Sequence, residues 1–282
     1  MTRVNPWNAA MPELPEVETV VRDLRPLIVG QTIRSIRAGT KKLRTPWQPE
    51  WSESLAGQQI RSLNRRGKWI IAELDTSAML LHLGMTGQLT VHPPADALAD
   101  HVHLQFRFAD TELRFRDVRR FGGAEWFASL PVLHDLLDTK LGPEPFDTEA
   151  KVFASVVRSA NRTLKAILLD QSVVAGVGNI YADEALFGSR LHPETRGVDI
   201  STKQAEALRQ AVVAVITKAI EARGSTIRDY IGGSGLRGGF QAEHCVYGRT
   251  GEPCVLCATP IERIVVAGRS SHFCPKCQKR KR

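Results

Sequence analysis

Apolar residues recur at two different periods along this chain, and the change of period divides it. Over residues 15–24, Val17, Val20, Val21 and Leu24 follow the i, i+3, i+4, i+7 spacing of an amphipathic helix. Pro15 suits a first helical position, and Glu16 and Glu18 suit its positive end. The period then falls to two. Val102, Leu104, Phe106 and Phe108 alternate with His103, Gln105 and Arg107, and Leu113 and Phe115 alternate with Arg114 and Arg116. These are half-buried strands. Residues 31–38, 58–64, 68–74, 78–83 and 123–128 also predict strands. Many short strands broken by Gly and Pro turns predict a sandwich or barrel.

From about residue 131 the pattern becomes helical, with helices predicted near 149–159, 163–170, 179–188 and 201–223. In the last, Leu208, Val212, Val215, Ile216 and Ala219 form the apolar stripe, Ser201 and Gln204 an S-x-x-Q capping box, and Gly224 the stop. Five glycines between 232 and 239 predict a mobile loop. There are no internal repeats.

A length of 282 residues suits about two domains. Composition is ordinary for a folded protein, with 43% hydrophobic and 24% charged residues. No apolar run reaches the roughly 18 residues of a membrane helix. The N-terminus lacks the apolar region of a secretory signal, so a cytoplasmic location is expected. Charge adds a direction: 38 Lys plus Arg face 30 Asp plus Glu, a net charge of +8. The stretches 34–44, 54–72 and 263–282 are basic and free of acids, which suggests a surface that tracks phosphates.

Four of the five cysteines form C-x2-C-x16-C-x2-C: Cys254, Cys257, Cys274 and Cys277. Each C-x-x-C lets one turn supply two thiolates to a tetrahedral Zn²⁺, and the spacing is that of a zinc ribbon. The bland alternative is two accidental thiol pairs. With four protein ligands such a zinc is structural, and Cys245 lies outside the set as a packed thiol. A basic zinc hairpin carrying Arg263, Arg269, Lys276 and Lys279 suits DNA.

Residues 11–19, MPELPEVET, could simply lead into the first helix. The string resembles the N-terminal signature of the formamidopyrimidine-DNA glycosylases. RRGKW (65–69), HLGMTG (82–87), DVRRFGG (117–123), LGPEP (141–145), GVGNIYADEALF (176–187), VYGRTGEPC (246–254) and the zinc ribbon follow in the family's order. The resemblance covers about residues 11–279. It implies an α+β, two-domain fold: an N-terminal β-sandwich with a short N-terminal helix, and a C-terminal helical domain (helix–two-turns–helix) ending in a zinc-ribbon β-hairpin. The domains expected are an extension over 1–11, a catalytic sandwich over 12–130, a helical DNA-binding domain over 131–244 and the zinc ribbon over 245–282.

The resemblance also implies an activity. The family removes oxidised purines such as 8-oxoguanine and formamidopyrimidines from double-stranded DNA, then cleaves the abasic strand by β,δ-elimination. A free N-terminal proline is a secondary amine, and the iminium it forms with the sugar is cationic without an added proton, an electron sink for elimination. Peptide α-amines titrate near 8, well below lysine near about 10.4. By resemblance Pro12 is the nucleophile, Glu13 the acid/base, Glu16 the group orienting amine and sugar, and Lys68 a strand-borne lysine near phosphate and sugar. Glu18 and Arg22 read as ordinary helix-surface groups. Met85, Arg119 and Phe121 would fill the space left by a flipped nucleotide. Asn179 and Arg269 would bind phosphate, His101, Arg119 and Lys165 would touch DNA, and the loop near 226–241 would cap the lesion. One structural Zn²⁺ and a monomer are expected.

Ten residues precede Met11, whereas the chemistry needs Pro12 to be first. Initiation at Met11 with methionine removal meets that need. The remaining readings are processing of the extension, or a protein without Schiff-base chemistry. Competing functions are an oxidised-pyrimidine glycosylase of the endonuclease VIII type, against which Leu14 argues, a non-catalytic damage-binding protein, and a zinc-ribbon transcription factor.

Overall fold

The computed structural model describes residues 12–225 and 238–280. The described residues form two compact units, one of 12–139, 222–225 and 238–239, the other of 140–221 and 240–280.

The first unit opens with α1 (Leu14–Ile28). Its stripe of Val17, Val20, Val21, Leu24 and Ile28 is buried, and each such side chain stabilises by about 1.5–3 kcal/mol relative to exposure. After β1 (Ser35–Ala38) and α2 (Pro49–Leu55) come β2 (Ile60–Arg66), β3 (Trp69–Leu74), β4 (Ala78–His82), β5 (Gly87–His92), β6 (Val102–Arg107), β7 (Glu112–Asp117) and β8 (Gly123–Phe127), then α3 (Leu130–Asp138). The strands make two four-stranded sheets, β2-β3-β4-β8 and β1-β6-β7-β5, with every pairing antiparallel. One core joins them, with Leu63, Ile70 and Leu81 from one sheet and Leu104, Phe106 and Phe115 from the other, closed by α1. This is the expected sandwich.

Two strand readings change. The stretch 31–38 is not one strand. Thr32 bridges Gln59, whereas Ser35–Ala38 pairs with β6, so the chain crosses from one sheet to the other within a few residues. β5 went unread, although Leu89 and Val91 alternate inward there. The helix expected over 15–24 runs on to Ile28.

The second unit holds α4 (Ala150–Ser159), α5 (Leu164–Leu169), α6 (Asn179–Gly188) and α7 (Thr202–Glu221), then the hairpin β9 (Glu262–Val266) and β10 (Arg269–Phe273). α7 packs on α4 and α6, and α6 packs on α5 and β10. The Ser201–Gln204 box forms: Ser201 N–H donates to Gln204 Oε1 at 3.0 Å, and Gln204 N–H donates to Ser201 Oγ at 3.2 Å.

The helical domain expected over 131–244 needs correction at both ends. α3 packs on β4 and β8 and lies in the first unit, as do residues 222–225 and 238–239. The extension 1–11 and residues 226–237 of the expected capping loop lie outside the described residues.

Candidate functional site

The start of α1 places the N-terminal signature. Pro12 is half-buried just before the helix. Glu13 is the N-cap residue and Glu16 is N3, the two carboxylates of a capping box. Both are buried, at 5% and 3% exposure. Glu16 Oε2 accepts the Glu13 N–H at 2.9 Å, and Oε1 accepts the Ser225 N–H at 2.7 Å. Gly224, with φ +78°, is what allows that approach. A Cβ there would fall 2.8 Å from Glu16 Oε1. Arg223 is tied to the same helix by its 2.7 Å ion pair with Asp23. Buried carboxylates beside the first residues of α1 are groups able to give and take protons.

α1 runs antiparallel to β2. Glu18 meets Arg65 at 3.0 Å, and Arg25 donates to the Leu63 carbonyl at 2.9 Å. The N-terminal end of α1 therefore points toward the β2–β3 turn, where Lys68 sits. Lys68 is not strand-borne as expected. It lies in the turn after Gly67, before β3 begins, and is only 7% exposed. Glu18 is also more than a surface group, since it bonds both Arg22 and Arg65.

Two turns of the sandwich bring the expected insertion residues together. Met85 sits in the β4–β5 turn, and Arg119 and Phe121 sit in the β7–β8 turn. Asp117, with no exposure, organises both. Its Oδ1 accepts the Thr86 hydroxyl and, at 3.1 Å, the Arg119 N–H, and its Oδ2 accepts the Gly122 N–H at 2.7 Å. A Cβ on Gly84 (φ +60°) would strike the backbone of Phe121 and Gly122, so the turns touch only because that position is glycine. Arg119 stacks 4.8 Å above the exposed Phe121 ring. His101, at φ 66°, joins the same end of the sheet by accepting the Asp117 N–H on its carbonyl at 3.0 Å. Asp117 and Thr86 carry no role in the sequence reading, although both lie inside its motifs.

In the second unit the four cysteine sulfurs lie within 4.8 Å of one another. Neighbouring pairs are 3.5 and 4.0 Å apart, close to the roughly 3.8 Å edge of a tetrahedron with Zn–S near 2.3 Å. Leu256 N–H and Cys277 N–H donate to the sulfurs of Cys254 and Cys274 at 3.4 Å. Hydrogen bonds from Thr259 pull Cys257 down to about 6. The donor set fits one structural Zn²⁺, held by Cys254, Cys257, Cys274 and Cys277. Cys245 stays outside it, and burial pushes its thiol up to about 11.

The hairpin turn has Ala267 and Gly268 at φ 51° and 71°, the two left-handed residues of a tight hairpin. Arg269 follows it, half-buried. Asn179 opens α6, with its Oδ1 buried and unpaired among the described residues. Lys165 corrects an expectation. Its side chain has no exposure and is ion-paired to Asp183 at 2.6 Å, so it does not reach out to DNA. Glu184 is the neighbouring surprise. Its carboxylate accepts the N–H groups of Cys245, Val246 and Tyr247 at 2.8–3.0 Å. Burial pushes it up, against those three bonds. Two adjacent acids in an otherwise apolar helix were the only signal for this joint.

Comparison with known proteins agrees with this architecture. Residues 11–124 match the formamidopyrimidine-DNA glycosylase N-terminal domain, and 141–230 match its H2TH domain. Residues 251–280 match a zinc finger found in FPG and IleRS. The formamidopyrimidine-DNA glycosylase of Bacillus licheniformis is 46% identical over 96% of this chain and all of its own. That of Bacillus subtilis is 43% identical over the same shares. Among solved structures, the Lactococcus lactis enzyme in complex with abasic-site DNA has a TM-score of 0.89 and 40% identity. It covers 95% of this chain and 100% of its own. A mutant of the same enzyme in complex with Fapy-dG-containing DNA matches equally well. Among the described residues no helix is long and apolar enough to cross a membrane. With its motifs in the family's order, its family-model matches over most of its length and relatives 43–46% identical over their full length, this chain belongs to the formamidopyrimidine-DNA glycosylases.

Proposed function

We propose that this protein is a bifunctional DNA glycosylase and abasic-site lyase of base-excision repair, acting on oxidised purines and abasic sites in double-stranded DNA. The observation that carries the reading is the pair of buried carboxylates, Glu13 and Glu16, set in the first turn of α1 directly behind Pro12.

The target carbon lies inside a base stack, so the nucleotide leaves the helix before chemistry begins. Met85, Arg119 and Phe121, gathered by Asp117, enter the vacated step as an apolar wedge with a planar cation. The Pro12 amine attacks the sugar's anomeric carbon, and the C–N bond to the base breaks. Glu13 donates the proton that opens the sugar ring and takes one back during elimination. The iminium nitrogen takes up the electron pair left when the proton on the carbon next to the anomeric carbon is removed. The pair returns to form the sugar's C=C bond as the 3′ C–O bond breaks and the phosphate leaves. Glu16 holds the Glu13 backbone in place for these transfers. Asn179 and Arg269 grip phosphates, and zinc stiffens the hairpin that carries Arg269. Lys68, in the turn that the start of α1 faces, acts near phosphate and sugar.

This chemistry runs in protein whose chain starts at Pro12, since an internal proline has no nucleophilic nitrogen. The family match beginning at residue 11 supports that start. The reading puts a monomer on chromosomal DNA in the cytoplasm.

The test is borohydride trapping. Protein starting at Pro12 is mixed with a duplex containing 8-oxoguanine opposite cytosine, and the reduced adduct is sought on a denaturing gel. A covalent adduct is expected. Binding without an adduct would favour a pyrimidine-specific or non-catalytic protein.

A further inference from the structure

The second unit contains a buried ion pair for which the chemistry above has no use. The side chains of Lys165 and Asp183 have no solvent exposure, and Nζ lies 2.6 Å from Oδ1. Lys165 Nζ also donates to the Asn179 carbonyl at 2.8 Å. The rest of the Asp183 carboxylate is spent on β10. Oδ1 accepts the Ser271 hydroxyl at 2.7 Å, Oδ2 accepts the His272 N–H at 2.9 Å, and His272 Nδ1 lies 3.2 Å from Oδ2.

As a source of stability this arrangement is poor. Desolvating two charges is costly, and well-packed apolar residues of similar volume often serve as well. The better-attested use of buried charge is to fix one geometry against others. Here that geometry has two ends. Asn179 is the first residue of α6, one turn before Asp183, and its carbonyl is held by Lys165. Arg269 is two residues before Ser271 and so shares its face of β10. One carboxylate thus stands between the two groups assigned to phosphate. Contacts to phosphates set register on the duplex only if their spacing matches that of the backbone.

We infer that Lys165 and Asp183 are positioning residues that set the spacing of Asn179 and Arg269, so that both meet phosphates of bound DNA at once. The inference rests on the proposed function. It assigns to Lys165 an indirect role in place of direct contact with DNA.

The experiment uses the full zinc-loaded protein starting at Pro12 and a duplex carrying a tetrahydrofuran abasic analogue. Dissociation constants are measured across a salt series for the wild type, Ser271→Ala, Asp183→Asn, Arg269→Ala and the two doubles with Arg269→Ala. Ser271→Ala and Asp183→Asn should each weaken binding about tenfold and reduce the salt slope by about one. In the Arg269→Ala background neither should weaken it further, because a spacing between two contacts has no effect once one of the two is gone. Ser271→Ala removes one hydroxyl and keeps the ion pair, so it decides the matter alone if Asp183→Asn fails to fold. Losses that multiply with that of Arg269→Ala would overturn the proposal. So would a lower melting temperature with affinity and salt slope unchanged. A wild type that does not prefer the lesion duplex would overturn the proposed function as well. A wild type that prefers it, with an additive cycle, would overturn only the positioning role.

Discussion

Glu16 accepts the backbone N–H of Ser225 at 2.7 Å, across 209 positions of sequence, while its other oxygen holds the N–H of Glu13. A single buried carboxylate therefore joins the start of α1 to the segment that returns to the first unit after α7. The bond to Glu13 is the local half of the α1 capping box, whereas the bond to Ser225 joins residues far apart in the chain; leaving a buried backbone donor unsatisfied is costly.

Replacing that carboxylate tests the joint. Glu16→Gln leaves one oxygen and turns an NH₂ toward an N–H donor, so one bond is lost and two donors face each other. We expect a loss of about 1–3 kcal/mol, read as a lower denaturant midpoint. Gly224→Ala should cost at least about 1 kcal/mol through its positive φ and its Cβ against the same carboxylate. Unchanged midpoints for both variants would refute the joint.

Glu13→Gln separates binding from chemistry. The side chain keeps its size and its place at the head of α1 but cannot carry a proton. Lesion-duplex affinity should stay within about twofold, and single-turnover base excision should fall by about 10² or more. Excision near the wild-type rate would remove Glu13 from its role.

Removing zinc should act on one unit. Phe187, Val246, Ile261 and the cysteines form the small core at the hairpin, which is too little to fold without the metal. Chelation should abolish tight DNA binding and leave the sandwich's cooperative unfolding in place. Full affinity in metal-free protein would count against the hairpin as a DNA-holding element.

Acid should destabilise the protein through histidine. Burial pushes His82 down to about 4, with Arg44 acting in the same direction, and its Nδ1 has no hydrogen-bond partner among the described residues. Burial also takes His244 to about 4. Between about pH 6.5 and 4 the unfolded chain binds these protons and the folded chain does not, so stability rises with pH through that window and is fully present above it. For His82 the span is worth about 3 kcal/mol. Denaturation midpoints measured from pH 7 to 4 should fall, and should fall less in His82→Leu. Parallel curves for the two proteins would exclude His82 as a source.

Much of the candidate site could be read in the sequence because its parts are local. The α1 stripe, the alternating strands, the Ser201–Gln204 box and the C-x2-C pairs each depend on residues a few positions apart. Backbone geometry converts those spacings into faces and ligand sets without reference to the rest of the chain.

What the sequence by itself determined, then, was the family, the kind of most main elements, the zinc ligands and the residues at the head of α1. Only the tertiary structure decided which charges are buried and what they hold. Lys165 reads as one more basic residue until Asp183, 18 positions on, covers it. Asp183 in turn finds Ser271, 88 positions away. Lys68 lies in a turn rather than on a strand, and 31–38 is divided between two sheets. Periodicity reports which face of an element is apolar. Whether a charged side chain on it is solvated or ion-paired depends on groups brought from far along the chain, because the cost of burying a charge is met only where a partner of the right geometry arrives.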